Sequence, residues 1–333
     1  MQDKIILKKN ARLRLELTKS DLQLLAFLEQ QRMLTIQQSY TYAKKFCYMN
    51  MTDYSFKNRI RKFEDYKLIR GYHYSEGFDG ERFKYICIGS KGIDLLIEQN
   101  LLDSTYNKSK IYKFDKKKNI IHFLMTQQVV INLLTQLDGK IILYTDSNKG
   151  KYLLFYDEHV SSYSPAVLQY TEWIRKEKNL HRQNNGSYHA KIAKYMTPNN
   201  RTTEINGTTM TIVKPDWIVK IKGENETRDA FINIELDMGT EPIETIIEKV
   251  FKYAIQAEKN PYELHIMNIV IADNSFSNRS RLSDGIRRGE NIAKQLVSDP
   301  QVVNRIKESG LKIKISPLKY NNEAVYTALQ KYS

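Results

Sequence analysis

The chain has 333 residues and a formal charge of +14, from 52 basic and 38 acidic side chains. That length allows two domains with a sizeable core, and the positive excess points to a polyanionic partner, nucleic acid ahead of an anionic membrane surface. No apolar run can span a bilayer and the opening residues lack a signal-peptide core, so a soluble cytoplasmic protein is expected.

Residues 18–100 read as three helices, a hairpin and a fourth helix. Thr18 or Ser20 can cap the first helix, whose apolar stripe is Leu22, Leu25 and Leu28. Thr35 can cap a second helix that runs to about Phe46. A third starts near Thr52, with Phe56, Ile60 and Phe63 falling on one face. Gly77, Asp79 and Gly80 supply the turn of a hairpin whose second strand is Arg82–Ile88. A helix with Leu95, Leu96 and Ile97 closes this first domain, assigned to residues 1–103 and expected to fold alone. A lysine-rich linker at 104–118 and a second domain at 119–333 follow. Cys47 and Cys87 lack metal-ligand spacing and are expected as buried thiols.

The second domain opens with a long apolar helix at 119–137 that contains His122, then two strands at 140–145 and 151–156. A helix at 167–178 carries Trp173 and Glu177, and residues 179–210 read as a polar loop. Strands at 211–222 and 230–237 are joined by a turn at 223–229. A helix at 242–258, a strand at 263–272, a basic loop with Arg279, Arg281, Arg287 and Arg288, a helix near 289–298, a strand at 311–316 and a terminal helix complete the order. The fold class is α+β, with a mixed sheet in the second domain.

Two groups of residues carry chemistry. If Phe56, Ile60 and Phe63 face inward, a 100° step per residue turns Ser55, Asn58 and Lys62 outward, flanked by Arg59 and Arg61. Asn and Arg can read base edges in a major groove, while Lys62 and Lys67 suit phosphates. Arg82 and Lys84 on the hairpin would reach the neighbouring backbone. The competing reading is a helical unit that packs on a protein.

The second group is Asp216 on one strand with Glu235 and Asp237 on the next. Strand alternation gives all three the same parity, opposite to Pro215, Trp217, Ile234 and Leu236. Like charges facing each other destabilise a strand pair, and Mg²⁺ or Mn²⁺ would relieve that penalty through oxygen ligands. Plain solvation of a polar strand face is the simpler alternative.

Residues 55–69, from Ser55 through Ile69, resemble the recognition helix and wing entry of winged helix-turn-helix domains. The C-terminal half is similar to the PD-(D/E)XK nuclease-like fold. That resemblance implies Asp216 and Glu235 as metal ligands, with Asp237 standing where the family carries its lysine. In some members the lysine migrates to the following helix, which makes Lys249 the catalytic candidate and Lys252 its fallback. The whole order, with Ile121-His122, Pro215-Asp216, Glu235-Leu236-Asp237-x-Gly239-Thr240 and Lys249-x-x-x-Tyr253, resembles the replication-relaxation family of plasmids and mobile elements in Gram-positive bacteria. It implies a double-stranded DNA partner and a role in replication or DNA processing, with metal-dependent cleavage as one form of it. The alternative is a non-enzymatic replication initiator or transcriptional regulator, with the second domain used for recruitment or for a homodimer.

Overall fold

The computed structural model describes residues 5–8, 14–76, 80, 82–102, 104, 106, 120–136, 144–146, 150–152, 155–157, 203–205, 208–210, 215–221, 229–259, 261–277 and 282–330. The expected helix at 167–178 with Trp173 and Glu177 lies outside these residues, as do most of the linker at 104–118, most of the loop at 179–210, the turn at 223–228, Arg279 and Arg281. The chain is α+β and divides into two compact units. The first draws on residues 1–138, 143–153 and 274–281, the second on 139–142, 154–273 and 282–333.

The first unit begins with an antiparallel pair, β1 (Ile5–Lys8) and β2 (Arg14–Leu17), in which Leu15 and Leu17 are buried. Helix α1 (Lys19–Gln31) starts at a capping box: Thr18 N donates to Asp21 Oδ2 at 2.7 Å and Asp21 N to Thr18 Oγ1 at 3.4 Å. Its buried face is Leu24, Leu25, Phe27 and Leu28, shifted from the expected stripe because Leu22 is only half-buried. A short strand, β3 (Met33–Thr35), leads into α2 (Ile36–Lys45), capped by Thr35 and Gln38 in the same reciprocal way. Helix α3 (Asp53–Asp65) buries Phe56, Ile60 and Phe63. Then come β4 (Ile69–Ser75), β5 (Arg82–Ile88), α4 (Ser90–Glu98) and α5 (Ile120–Gln136). The strands form an antiparallel sheet in the order β3-β5-β4. Helix α5 belongs to this unit: Leu124 packs with Met33, Tyr85 and Cys87, and Ile120 and Phe123 pack against them. Both cysteines are buried and unbridged. A short pair, β6 (Tyr144–Asp146) and β7 (Gly150–Tyr152), also belongs here.

The second unit is built on five strands in the order β14-β13-β12-β11-β8. Strand β8 (Phe155–Asp157) and β11 (Trp217–Ile221) run antiparallel, and β11 runs antiparallel to β12 (Asp229–Asp237). A separate short pair, β9 (Thr203–Ile205) and β10 (Thr208–Met210), precedes β11. Beyond β12 the pairing is parallel, to β13 (Glu263–Ile271) and β14 (Lys312–Pro317). Parallel neighbours need crossovers, and the chain supplies helices for them. Helix α6 (Ile243–Lys259) links β12 to β13; α7 (Ile286–Ser298) and α8 (Pro300–Ser309) link β13 to β14. A 3-10 turn at Leu318–Tyr320 and α9 (Asn321–Gln330) finish the unit. Ile246, Val250, Tyr253, Ala254 and Ala257 of α6 pack with Met267, Ile269 and Ile271 of β13 and Ile292 and Leu296 of α7. The strand-facing periodicity of α6 therefore builds the core that the acidic strand borders.

Candidate functional site

In the first unit the features gather on α3. Thr52 Oγ1 caps the helix by accepting from Ser55 N at 3.2 Å. With Phe56, Ile60 and Phe63 buried, Ser55, Lys57, Arg61 and Lys62 are exposed, and Asn58 is half-buried with its Oδ1 accepting from Arg61 Nη1 at 3.3 Å. Arg59 is placed differently from this group. Its Nε donates to Asp21 Oδ1 at 3.1 Å, its Nη2 donates to Glu16 O at 2.6 Å, and its guanidinium lies 5.3 Å from the Phe63 ring centroid. Asp21 is only 2% exposed, so Arg59 braces α3 against the start of α1.

Lys67 and Arg82 are exposed. Lys84 is half-buried and donates to Glu64 Oε2 at 2.7 Å, tying β5 to the end of α3. Gly71 lies under that bridge: a Cβ there would stand 1.8 Å from Glu64 Oε1 and 2.5 Å from Lys84 Cε. The glycine was the one signal in the sequence that a side chain crosses β4 at this point.

In the second unit the register of the β11–β12 pair sets Trp217 opposite Ile234. Asp216 N donates to Ile234 O at 2.9 Å, so Asp216 bonds to the residue already opposite Trp217 and stands just outside the regular register, which begins at Trp217. Glu235 and Asp237, two residues apart on β12, share a face by alternation. The shared face expected for all three acids is therefore seen for Glu235 and Asp237, while Asp216 lies just before the paired strand and close enough for its charge to act on Glu235. The face is not solvated, however: Glu235 is 6% and Asp237 4% exposed. Both sides of β12 are covered, as the strand's parallel partner and its crossover helix require.

Each acid has protein partners. Asp216 Oδ2 accepts from Leu236 N at 2.8 Å. Glu235 Oε1 accepts from Tyr253 Oη at 2.6 Å, and its Oε2 from Lys249 Nζ at 2.9 Å. Lys249 also donates to Glu241 Oε2 at 2.9 Å. Lys249 and Tyr253 stand one turn apart on the sheet side of α6, as their i, i+4 spacing implies. Asp237 turns away from this group. Its Oδ1 accepts from Gly239 N at 2.8 Å and its Oδ2 from Arg288 Nε at 2.7 Å, while Arg288 Nη2 donates to Glu241 O.

Arg288 reaches the strand end because α7 starts at Gly285, whose φ of +74° and 3.0 Å approach of an added Cβ to Ile271 Cγ2 both favour glycine. Sequence reading placed Arg288 in a basic loop and gave no sign of its partner. Glu241 was not singled out at all, although it lies eight residues before Lys249.

Burial pushes the Glu235 carboxyl up to about 7; Lys249 opposes the rise, Asp216 adds to it, and the Tyr253 hydrogen bond opposes it. Burial alone would lower Lys249, but the charges of Glu235 and Glu241 and their hydrogen bonds hold it above its ordinary value. Burial, then the Glu235 charge, raises Tyr253, which stays a neutral donor.

Among the described residues no group of three His, Cys, Asp or Glu is arranged to hold a metal ion. Asp237, locked by Arg288 and Gly239, does not fit the three-carboxylate set. Asp216 Oδ2 and both Glu235 oxygens likewise accept from protein donors, and the charge of Asp216 acts on Glu235. No helix among the described residues is long and apolar enough to cross a membrane.

No curated protein and no solved structure matches the chain. A family model described as replication-relaxation matches residues 25–267, from α1 through most of β13, and the chain belongs to that family.

Proposed function

We propose that this member of the replication-relaxation family is a DNA-binding protein that acts in the replication or processing of a plasmid or other mobile element. The first unit would bind duplex DNA as a winged helix-turn-helix, with α3 in the major groove and the β4–β5 hairpin on the adjoining backbone. One observation carries this reading: α3 has a capped start, a buried apolar stripe, and an opposite face of exposed Ser55, Lys57, Arg61 and Lys62. Asn58 and Arg61 are the base readers in this scheme, and Lys62, Lys67 and Arg82 the phosphate contacts. Arg59 and Lys84 act indirectly, by fixing the angle of α3 against α1 and β5.

The second unit is proposed as a PD-(D/E)XK-like domain in which Asp216 and Glu235 would hold Mg²⁺ or Mn²⁺. Such an ion, when bound, activates water and offsets charge on a phosphodiester. Lys249 is then the cation beside Glu235 that replaces the missing strand lysine, and Tyr253 keeps the Glu235 carboxylate oriented. Arg288 neutralises Asp237 and holds the turn that carries Glu241. A non-enzymatic initiator is the second reading, favoured by the engagement of both Glu235 oxygens and both Asp237 oxygens by protein donors.

Incubation of the purified protein with supercoiled and single-stranded DNA, with and without Mg²⁺ or Mn²⁺, separates the two. Metal-dependent nicking supports the enzyme; duplex binding without nicking supports the initiator. Absence of binding overturns both.

A further inference from the structure

Two tyrosines in the first unit have no role in the core. Tyr48 is 84% and Tyr54 73% exposed. They flank the turn between α2 and α3. Other tyrosines of this unit use their hydroxyls or rings internally: Tyr40 Oη donates to Met51 O at 3.0 Å, and Tyr42 stacks on Phe27 with ring centroids 3.4 Å apart. Among the described residues neither the Tyr48 nor the Tyr54 hydroxyl has a hydrogen-bond partner.

The turn is held in place rather than loose. Cys47 and Met49 are buried on either side of Tyr48, Met49 N donates to Ala43 O at 3.0 Å, and Met51 N donates to Met49 O at 3.0 Å. Tyr48 itself has φ of +53°. That is the left-handed region, which costs a bulky L-residue free energy and concentrates at functional sites. The strain is what lets Tyr48 point outward between two buried neighbours. Nearby charge has one dominant sign: Lys44 and Lys45 are exposed at the end of α2, and Lys57 and Arg61 are exposed on α3. Lys57 pairs with Asp53 at 2.5 Å.

We propose that Tyr48 and Tyr54 are phosphate contacts, their hydroxyls donating to the DNA backbone on either side of the groove that α3 enters. The inference rests on the reading of α3 as the DNA-facing helix. A tyrosine hydroxyl is a neutral donor of the kind that fixes a protein on the duplex without reading sequence. The clustered lysines make the surface complementary to a polyanion, and the ring gives a short, stiff arm with little entropy to lose.

The test uses the full chain and a fluorescein-labelled mixed-sequence duplex, with anisotropy followed across a potassium chloride series. Tyr48→Phe with Tyr54→Phe should weaken binding about ten- to a hundredfold, since each of the two lost donor bonds is worth roughly a factor of three to ten. The slope of log affinity against log salt should stay unchanged, because a neutral hydroxyl releases no counterion. Lys44→Ala with Lys45→Ala should instead reduce that slope by about two. Wild-type affinity in the double Phe variant would overturn the proposal while leaving the α3 reading intact. Loss of affinity only when both tyrosines become Ala would also overturn it, since the rings alone would then be acting, as in stacking on unpaired bases. Failure of the wild type to bind duplex at any salt would remove the α3 reading, and this inference with it.

Discussion

Replacing Glu235 by Gln asks whether the acid's charge state is coupled to folding. Burial raises Glu235 from 4.5 to about 7 in the folded chain, and unfolding returns it to its ordinary value. A folded-state pKa above the unfolded one means that the native state binds the proton more tightly. The resulting stability is fully present below the unfolded value and is lost as pH rises through about 7. At ~1.4 kcal/mol per pH unit, the interval from 4.5 to about 7 corresponds to about 3 kcal/mol. Gln keeps an acceptor for Tyr253 but cannot titrate. The stability difference between wild type and Glu235→Gln should therefore drift by about 3 kcal/mol against the wild type across that window and be flat above about pH 8. Urea denaturation followed by the fluorescence of buried Trp217, at a series of pH values, measures it. A difference that does not change across the window would show that Lys249 keeps Glu235 ionised throughout, and the reasoning from burial would fail.

Arg59→Ala should destabilise the first unit by about 3 kcal/mol, because it leaves buried Asp21 without its cation; a loss of under half that in urea denaturation would mean that the Thr18 hydrogen bonds suffice. Arg61→Ala should leave stability unchanged and lower the salt slope of DNA binding by about one, while an unchanged slope would remove Arg61 from the interface. Added Mn²⁺ should raise the thermal midpoint of the wild type by mass action, and Asp216→Asn should abolish most of that rise; equal rises in both would place any bound ion elsewhere. If the wild type nicks DNA, Lys249→Ala should slow nicking by about a hundredfold or more with DNA affinity unchanged, and a variant that cuts at the wild-type rate would refute the role given to Lys249.

The parts legible in the sequence are those fixed by local periodicity. Phe56, Ile60 and Phe63 announce α3 because burial recurs at the helical period, and Thr52 marks its start. Strand alternation placed Glu235 and Asp237 on one face, and i, i+4 spacing brought Lys249 and Tyr253 to Glu235; the backbone shift at Asp216 had no signal in the sequence. What escaped was set by non-local partners. Strand β3 has three residues and exists because β5 pairs with it across more than fifty residues of chain. Arg59 lies about 60° from Phe56 around the helix, on the border of the buried stripe, but only the fold shows Asp21 waiting for it. The same holds for Arg288 and Asp237, 51 residues apart. Helix α8 was missed although Asp299 caps it, Pro300 opens it and Gly310 ends it, a pattern that could have been read.

Gln38 serves two distant ends of the first unit. Its Oε1 accepts from Thr35 N at 2.9 Å at the start of α2, and its Nε2 donates to Leu124 O of α5 at 2.7 Å. Helix α5 also seals Met33, Tyr85 and Cys87. Dissection of the protein must respect this closure. A fragment ending at residue 103 would carry a bare apolar flank and a side chain with half its bonds missing, and would tend to self-associate before it met DNA. One that continues through Gln136 keeps α5 over that flank, yet still lacks residues 143–153 and 274–281 of the same unit, with Phe276 that packs on the cluster, so the behaviour of α2 and α3 is best measured in the whole chain.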